Sequence, residues 1–155
     1  MDRGSRLAID VGTVRIGLAI CDPDAIVCTP LPALIRSKLL SESLQEILSI
    51  VSETGVIEVY VGDPLSLSGS ETLSTKDARE FALQLAELSS VPVRLVDERL
   101  TTVTASSKLR QNGKSAKTAK GLIDSASAVE ILDQALNISK QSGKPAGLRV
   151  GGLDD

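Results

Sequence analysis

Two apolar runs, LAIDV at residues 7–11 and RIGLAIC at 15–21, are separated only by Gly12, Thr13 and Val14. So short a gap, led by a glycine, cannot hold a crossover, so the two runs pair as an antiparallel hairpin. The rest of the chain must then be laid on a sheet that begins this way. Asp10 stands inside the first run, among Leu7, Ile9 and Val11. A carboxylate in an apolar strand is costly unless it is paired or bound to a cation. The plainer alternative is a turn carboxylate capping the Gly12 loop. Its position before the turn favours a working acid.

A third strand, at a sheet edge, is expected from Ile26 towards Ile35, where Pro30 and Pro32 exclude a central position. Leu44, Ile47, Leu48 and Val51 have helical spacing, and Ser43 with Glu46 has the pattern of a capping box. VIEVYVG at 56–62 reads as a buried strand, 63–76 as a Ser/Gly/Pro loop, and Ala78, Phe81, Ala82, Leu85 and Leu88 as a helix. Pro92 opens a strand over 93–97, and Thr101 or Thr102 can cap a helix reaching about Leu109. The last strong periodicity covers roughly 119–136, and 139–155 has none, which predicts a flexible C-terminal tail after a single domain over 1–138. The order β-β-β-α-β-α-β-α-α predicts an α/β fold with a mixed five-stranded sheet flanked by helices.

The chain contains no histidine, which excludes Ser-His-Asp and Cys-His catalysis and zincin motifs. Tyr60 and Phe81 are its only aromatic residues, too few for base-stacking platforms. Nucleic acid would have to be gripped through its phosphates. Cys21 and Cys28 read as small buried hydrophobes in a reducing compartment, with a hairpin disulfide as the minority alternative. No run approaches the ~20 apolar residues of a membrane span, and MDRGSR leads straight into a strand, so a cytoplasmic protein without membrane contact is expected.

Two further acids interrupt apolar elements. Glu98 ends VRLVDE, and alternation puts it on the opposite strand face from Asp97, so at most one of the two points towards Asp10. Asp124 lies in GLIDSASAVEIL on the helical face of Ala128, Ile131 and Ala135. Taken singly, Asp-Glu-Arg at a strand end is more often a salt-bridged boundary than a catalytic site, and Asp124 reads equally as an acid favoured by the helix dipole. Between them lie Arg99, Lys108, Arg110, Lys114, Lys117 and Lys120 with no acid, a local charge of +6 in a chain of net −3. A solvated lysine-rich loop accounts for that charge as well as a phosphate-gripping segment does.

IDVGTVRIGLAICD, VGDPLSLSGS, VDERLTT and LIDSASAVEIL together resemble the YqgF/RuvX-type family of ribonuclease-H-like nucleases, over roughly residues 6–137. The resemblance implies the ribonuclease-H-like fold, with Asp10, Glu98 and Asp124 as catalytic acids and metal ligands. It also implies a metal-dependent hydrolase processing the 5′ end of pre-16S rRNA, or alternatively a Holliday junction resolvase acting on branched DNA. The central loop departs from the family pattern: Asp63 replaces a leucine, and Ser66 and Ser68 replace Asn and Asp. Asp63 then either starts a turn before Pro64 or adds a fourth carboxylate.

The expected cofactor is Mg²⁺ or Mn²⁺, as two ions, because hard cations take oxygen ligands and a paired site supports in-line phosphodiester hydrolysis. Arg15, Arg99, Lys108, Arg110, Lys114 and Lys117 are the expected nucleic-acid contacts. The partner would be structured RNA, alternatively branched DNA, met by a monomer or homodimer. Two rivals remain: an ATP-binding fragment of the actin or sugar-kinase type, and a non-catalytic nucleic-acid-binding module of the same fold.

Overall fold

In the computed structural model, which describes residues 2–66, 68–97 and 125–151, the hairpin forms as β1 (Arg6–Val11) and β2 (Arg15–Cys21). Asp10 pairs across it with Gly17. The chain continues through β3 (Cys28–Ile35), α1 (Leu40–Thr54), β4 (Glu58–Asp63), α2 (Leu73–Leu88) and β5 (Val93–Asp97). After the next described residue, Ser125, come α3 (Ala126–Ser142) and β6 (Leu148–Arg149).

These strands make one mixed sheet in the order β3-β2-β1-β4-β5-β6. β1, β4 and β5 run parallel, β2 and β3 are antiparallel additions on one side, and β6 is antiparallel on the other. The sheet has six strands rather than the expected five, because Leu148 and Arg149 pair with Leu95 and Arg94. An exposed pair of residues has no alternation to read. β3 lies at the sheet edge, as its prolines require.

Helices cover both faces. Leu7, Ile9, Ile16, Leu18, Val59, Val61 and Val93 pack with Leu44, Ile47, Phe81 and Leu85 from α1 and α2. The opposite face sets Ala8, Ala19, Tyr60 and Val96 against Ala128, Ile131, Leu132 and Ala135 of α3.

Three sequence expectations shift at helix ends. α1 begins before Ser43: Leu39 is its N-cap without a side-chain bond, and the Ser43 hydroxyl instead accepts the Ser37 N–H at 2.9 Å. The 63–76 loop is shorter than read, because Thr72 caps α2 reciprocally with Thr75. The segment expected as a tail from residue 139 continues as helix to Ser142. It then packs Ala146, whose N–H donates to the buried Ser139 hydroxyl at 3.2 Å, before joining the sheet.

Candidate metal-dependent active site

Strand alternation sorts the acids onto two faces. In β1, Leu7 and Ile9 enter the α1–α2 core, whereas Ala8 enters the α3 core. Asp10 has the parity of Ala8, so it sits half-buried on the α3 face at the carboxyl end of β1. Ends of parallel strands are where open sheets gather their sites. Both strands beside Asp10 lack a side chain there. Gly17 is its partner on β2, and Gly62 follows Val61, the partner of Ile9, with the parity of Tyr60. Asp10 thus offers a hard oxygen donor, the type of ligand that Mg²⁺ or Mn²⁺ takes.

Asp97 and Asp63 face the other way. Val93 and Leu95 of β5 belong to the α1–α2 core, and Asp97 shares their parity. Asp63 shares the parity of Val59 and Val61, and Arg79 of α2 grips it through Nε at 2.8 Å and Nη2 at 2.9 Å. Arg79 also bonds Glu71 at 2.6 Å. The acid that replaces the family's leucine is therefore the anchor of an ion pair across the sheet from Asp10. It is not a fourth carboxylate beside Asp10.

Glu98, Asp124, Arg99, Lys108, Arg110, Lys114, Lys117 and the helix expected after Thr101 or Thr102 lie outside the described residues. Among the described residues, no three Asp, Glu, Cys or His side chains form a cluster able to hold a metal ion. Arg15, the remaining expected phosphate contact, opens β2 half-buried, and its carbonyl accepts the Gly12 N–H at 3.0 Å. That turn needs glycine: a Cβ on Gly12 would lie 2.4 Å from the Arg15 carbonyl oxygen.

Two residues near Asp10 carry positions that no local pattern signals. The register between β2 and β3 shifts between Ile16 and Leu18, a β-bulge. Ser125, fully buried, fills it: its Oγ accepts the Leu18 N–H at 3.1 Å and donates to the Leu31 carbonyl at 2.6 Å. The start of α3 is thereby fastened to the strand beside Asp10, one residue after Asp124 in the chain. Its partners lie 107 and 94 residues away, so no local sequence signal reveals the contact.

The second is Arg36, which donates from Nη1 to the Gly12 carbonyl at 3.0 Å and forks onto Asp77 at 2.6 and 2.7 Å. Hydrogen bonding from Arg36 holds the Asp77 carboxyl below the usual carboxylate range. Because that pKa is depressed, the pair's contribution is intact above about pH 4 and is lost as acid protonates Asp77.

A second polar cluster lies away from this end. At the opposite ends of β1 and β4, a cavity of about 410 Å³ is lined by Arg6, Glu58, Tyr60, Ser139 and Lys144, among others. There Glu58 accepts the Tyr60 hydroxyl and the Arg94 Nε–H at 3.2 Å, with Arg6 Nε at 3.9 Å, so the buried acid is held between cations. Cys21 and Cys28 are cross-strand partners and both free. Burial pushes the Cys28 thiol up to about 12 and raises Cys21 as well, so both stay protonated. Among the described residues, no helix is long and apolar enough to cross a membrane.

Comparison with known proteins agrees with this architecture. The Thermus thermophilus RuvC, solved in complex with a Holliday junction substrate, superposes with a TM-score of 0.59 at 14% identity, covering 92% of this chain and 99% of that one. Another structure of the same RuvC gives 0.54 at 18% identity. At such identities the likeness concerns the fold, which is of the ribonuclease-H type. A Clavibacter michiganensis protein named "Putative pre-16S rRNA nuclease" is 45% identical over 150 residues, 97% of this chain and 93% of its own length. A Streptomyces coelicolor protein of the same name is 47% identical over 148 residues, covering 95% and 88%. The model of the RuvX family, described as Holliday junction resolvase, matches residues 4–138, and with relatives this similar along nearly the whole chain, the protein belongs to that family.

Proposed function

We propose that this RuvX-family protein is a metal-dependent nuclease that hydrolyses phosphodiester bonds at the 5′ end of pre-16S rRNA during ribosome assembly in the cytoplasm. The observation that carries the proposal is Asp10: an acid on the α3 face at the carboxyl end of a parallel strand, bordered by Gly17 and Gly62. Glu98 follows directly on Asp97, the last residue of β5. Asp124 is one residue before Ser125, whose hydroxyl is fastened to β2. Asp10, Glu98 and Asp124 would hold Mg²⁺ or Mn²⁺. When bound, two such ions supply charge neutralisation at phosphorus, activation of the attacking water and stabilisation of the leaving oxygen.

The chain's own residues then have distinct tasks. The three carboxylates provide hard oxygen donors, which is what a histidine-free chain has to offer. Gly17 and Gly62 put no side chain on the strands beside Asp10, where the scissile phosphate would approach. Arg15, Arg99, Lys108, Arg110, Lys114 and Lys117 neutralise flanking phosphates, so binding weakens as salt rises. The rRNA substrate is the one named for relatives at 45–47% identity. A second reading, resolution of branched DNA, is favoured by the family's description; symmetric paired cuts would then call for a homodimer.

The test offers purified protein a pre-16S rRNA fragment with its 5′ extension and, separately, a synthetic four-way DNA junction, with Mg²⁺ or Mn²⁺. Cleavage of the RNA, lost with a chelator and lost in Asp10→Asn with binding retained, is the expected result. Paired cuts in the junction with intact RNA would replace the first reading by the second. Binding without cleavage of either, in wild type and variant alike, would reduce the protein to a non-catalytic module.

A further inference from the structure

We propose that Arg36 and Asp77 are positioning residues that fix the turn behind Asp10, a role that rests on the reading of Asp10 given above. The Gly12–Arg15 turn joins the strand carrying Asp10 to the strand opened by Arg15, and Arg36 pins it through both side chain and backbone. Arg36 Nη1 donates to the Gly12 carbonyl at 3.0 Å, and the Arg36 backbone N–H donates to the Val14 carbonyl at 2.8 Å. The same guanidinium forks onto both carboxylate oxygens of Asp77 on α2 and stands 5.9 Å from the ring centroid of the buried Phe81. Bidentate charge-assisted bonds of this kind set direction as well as strength. The turn is thereby referenced to α2, and through Phe81 to the larger core, rather than to its strand neighbours alone.

Arg36 reaches the turn from the α1–α2 side, whereas Asp10 lies on the α3 face. It therefore acts on the carboxylate through the backbone. The rival role, direct contact with a phosphate, makes the opposite forecast for Asp77. Removing that partner would then free the guanidinium and leave or improve binding.

Full-length Arg36→Ala, Arg36→Lys and Asp77→Asn are compared with wild type by amide hydrogen exchange and by Mg²⁺ titration of cleavage of a labelled pre-16S rRNA fragment. Exchange should accelerate at the Gly12 and Arg36 amides in Arg36→Ala and Asp77→Asn, with the β1 and β4 amides unchanged. Misplacement of a reacting group costs up to roughly a hundredfold, so kcat should fall about ten- to hundredfold in Arg36→Ala and less in Asp77→Asn, with KM for RNA little changed. The Mg²⁺ concentration for half-maximal rate should rise several-fold in both. Arg36→Lys should recover part of the loss, and the double variant should be no worse than Arg36→Ala, since both changes break one unit.

Unchanged exchange at Gly12 would overturn the proposal. So would a loss confined to KM that appears in Arg36→Ala and not in Asp77→Asn. Asp77→Asn keeps the side-chain shape, so the test survives an Arg36→Ala variant that does not fold. Full activity in Asp10→Asn would remove the nuclease site reading, while the exchange pattern would still decide whether the clamp holds the turn.

Discussion

The two faces of the sheet are built on different principles. Towards α1 and α2 the sheet presents Leu7, Ile9, Ile16, Leu18, Val59 and Val61, met by Ile47, Phe81 and Leu85, with interdigitated large side chains and little room for polar groups. Towards α3 it presents Ala8, Gly17, Ala19 and Gly62, met by Ala128 and Ala135, with Arg6, Glu58, Tyr60, Arg94 and Asp10 on the same side. Small residues let α3 approach closely, and polar residues occupy the ends of the contact. One face therefore supplies most of the apolar burial, and the other combines small residues with charged ones. Asp63 and Asp97 fall on the first face and Asp10 on the second, although all three sit near strand ends.

The largest stability effect should come from breaking the apolar face. Phe81→Ala empties a fully buried site and should cost about 3–5 kcal/mol in urea unfolding. Since the ring also backs Arg36, its rate per folded molecule should drop with that of the clamp variants; an unchanged rate would separate the two faces functionally. Ser125→Ala tests the other face. It leaves the Leu18 N–H and the Leu31 carbonyl unmatched in the bulge, a loss of about 1–3 kcal/mol. Here activity should suffer more than stability, because the start of α3 loses its fastening beside Asp10. A variant with normal cleavage at temperatures where it is folded would deny Ser125 that positioning role. The smallest effect belongs to Asp63→Asn. Its pair with the partly exposed Arg79 is worth about 0–1 kcal/mol after solvent screening. Because Asp63 lies across the sheet from Asp10, the Mg²⁺ dependence of cleavage should not move. A shifted metal requirement would mean that the division between the faces has been misread.

Much of the scaffold is legible along the chain because its signals are local. The hairpin follows from two apolar runs three residues apart, α2 from its periodicity, and the edge position of β3 from Pro30 and Pro32. The start of α1 was obscured by a plausible alternative: Ser43 and Glu46 mimic a capping box, yet Ser43 is already helical and serves the Ser37 amide. Thr72 with Thr75 was a usable signal for α2, hidden because a threonine replaces the usual acid or amide at the third position. β6 had no signal at all. Its two exposed residues become a strand only because Gly147, at φ +72°, brings the chain against the Leu95 carbonyl.

By itself the sequence limited the chemistry on offer: a histidine-free chain has carboxylates as its main candidate metal ligands, and Asp10 stands inside an apolar strand. Strand alternation, another short-range property, already put Asp10 with Ala8 and apart from Leu7 and Ile9. Tertiary structure alone decided that Asp63 belongs to Arg79, that Ser125 closes a bulge about a hundred residues away, and that Arg36 ties the turn behind Asp10 to α2. The reason is physical. Alternation and periodicity act between near neighbours and are written in spacing, whereas a side chain's partner depends on which segments the fold brings within hydrogen-bond reach.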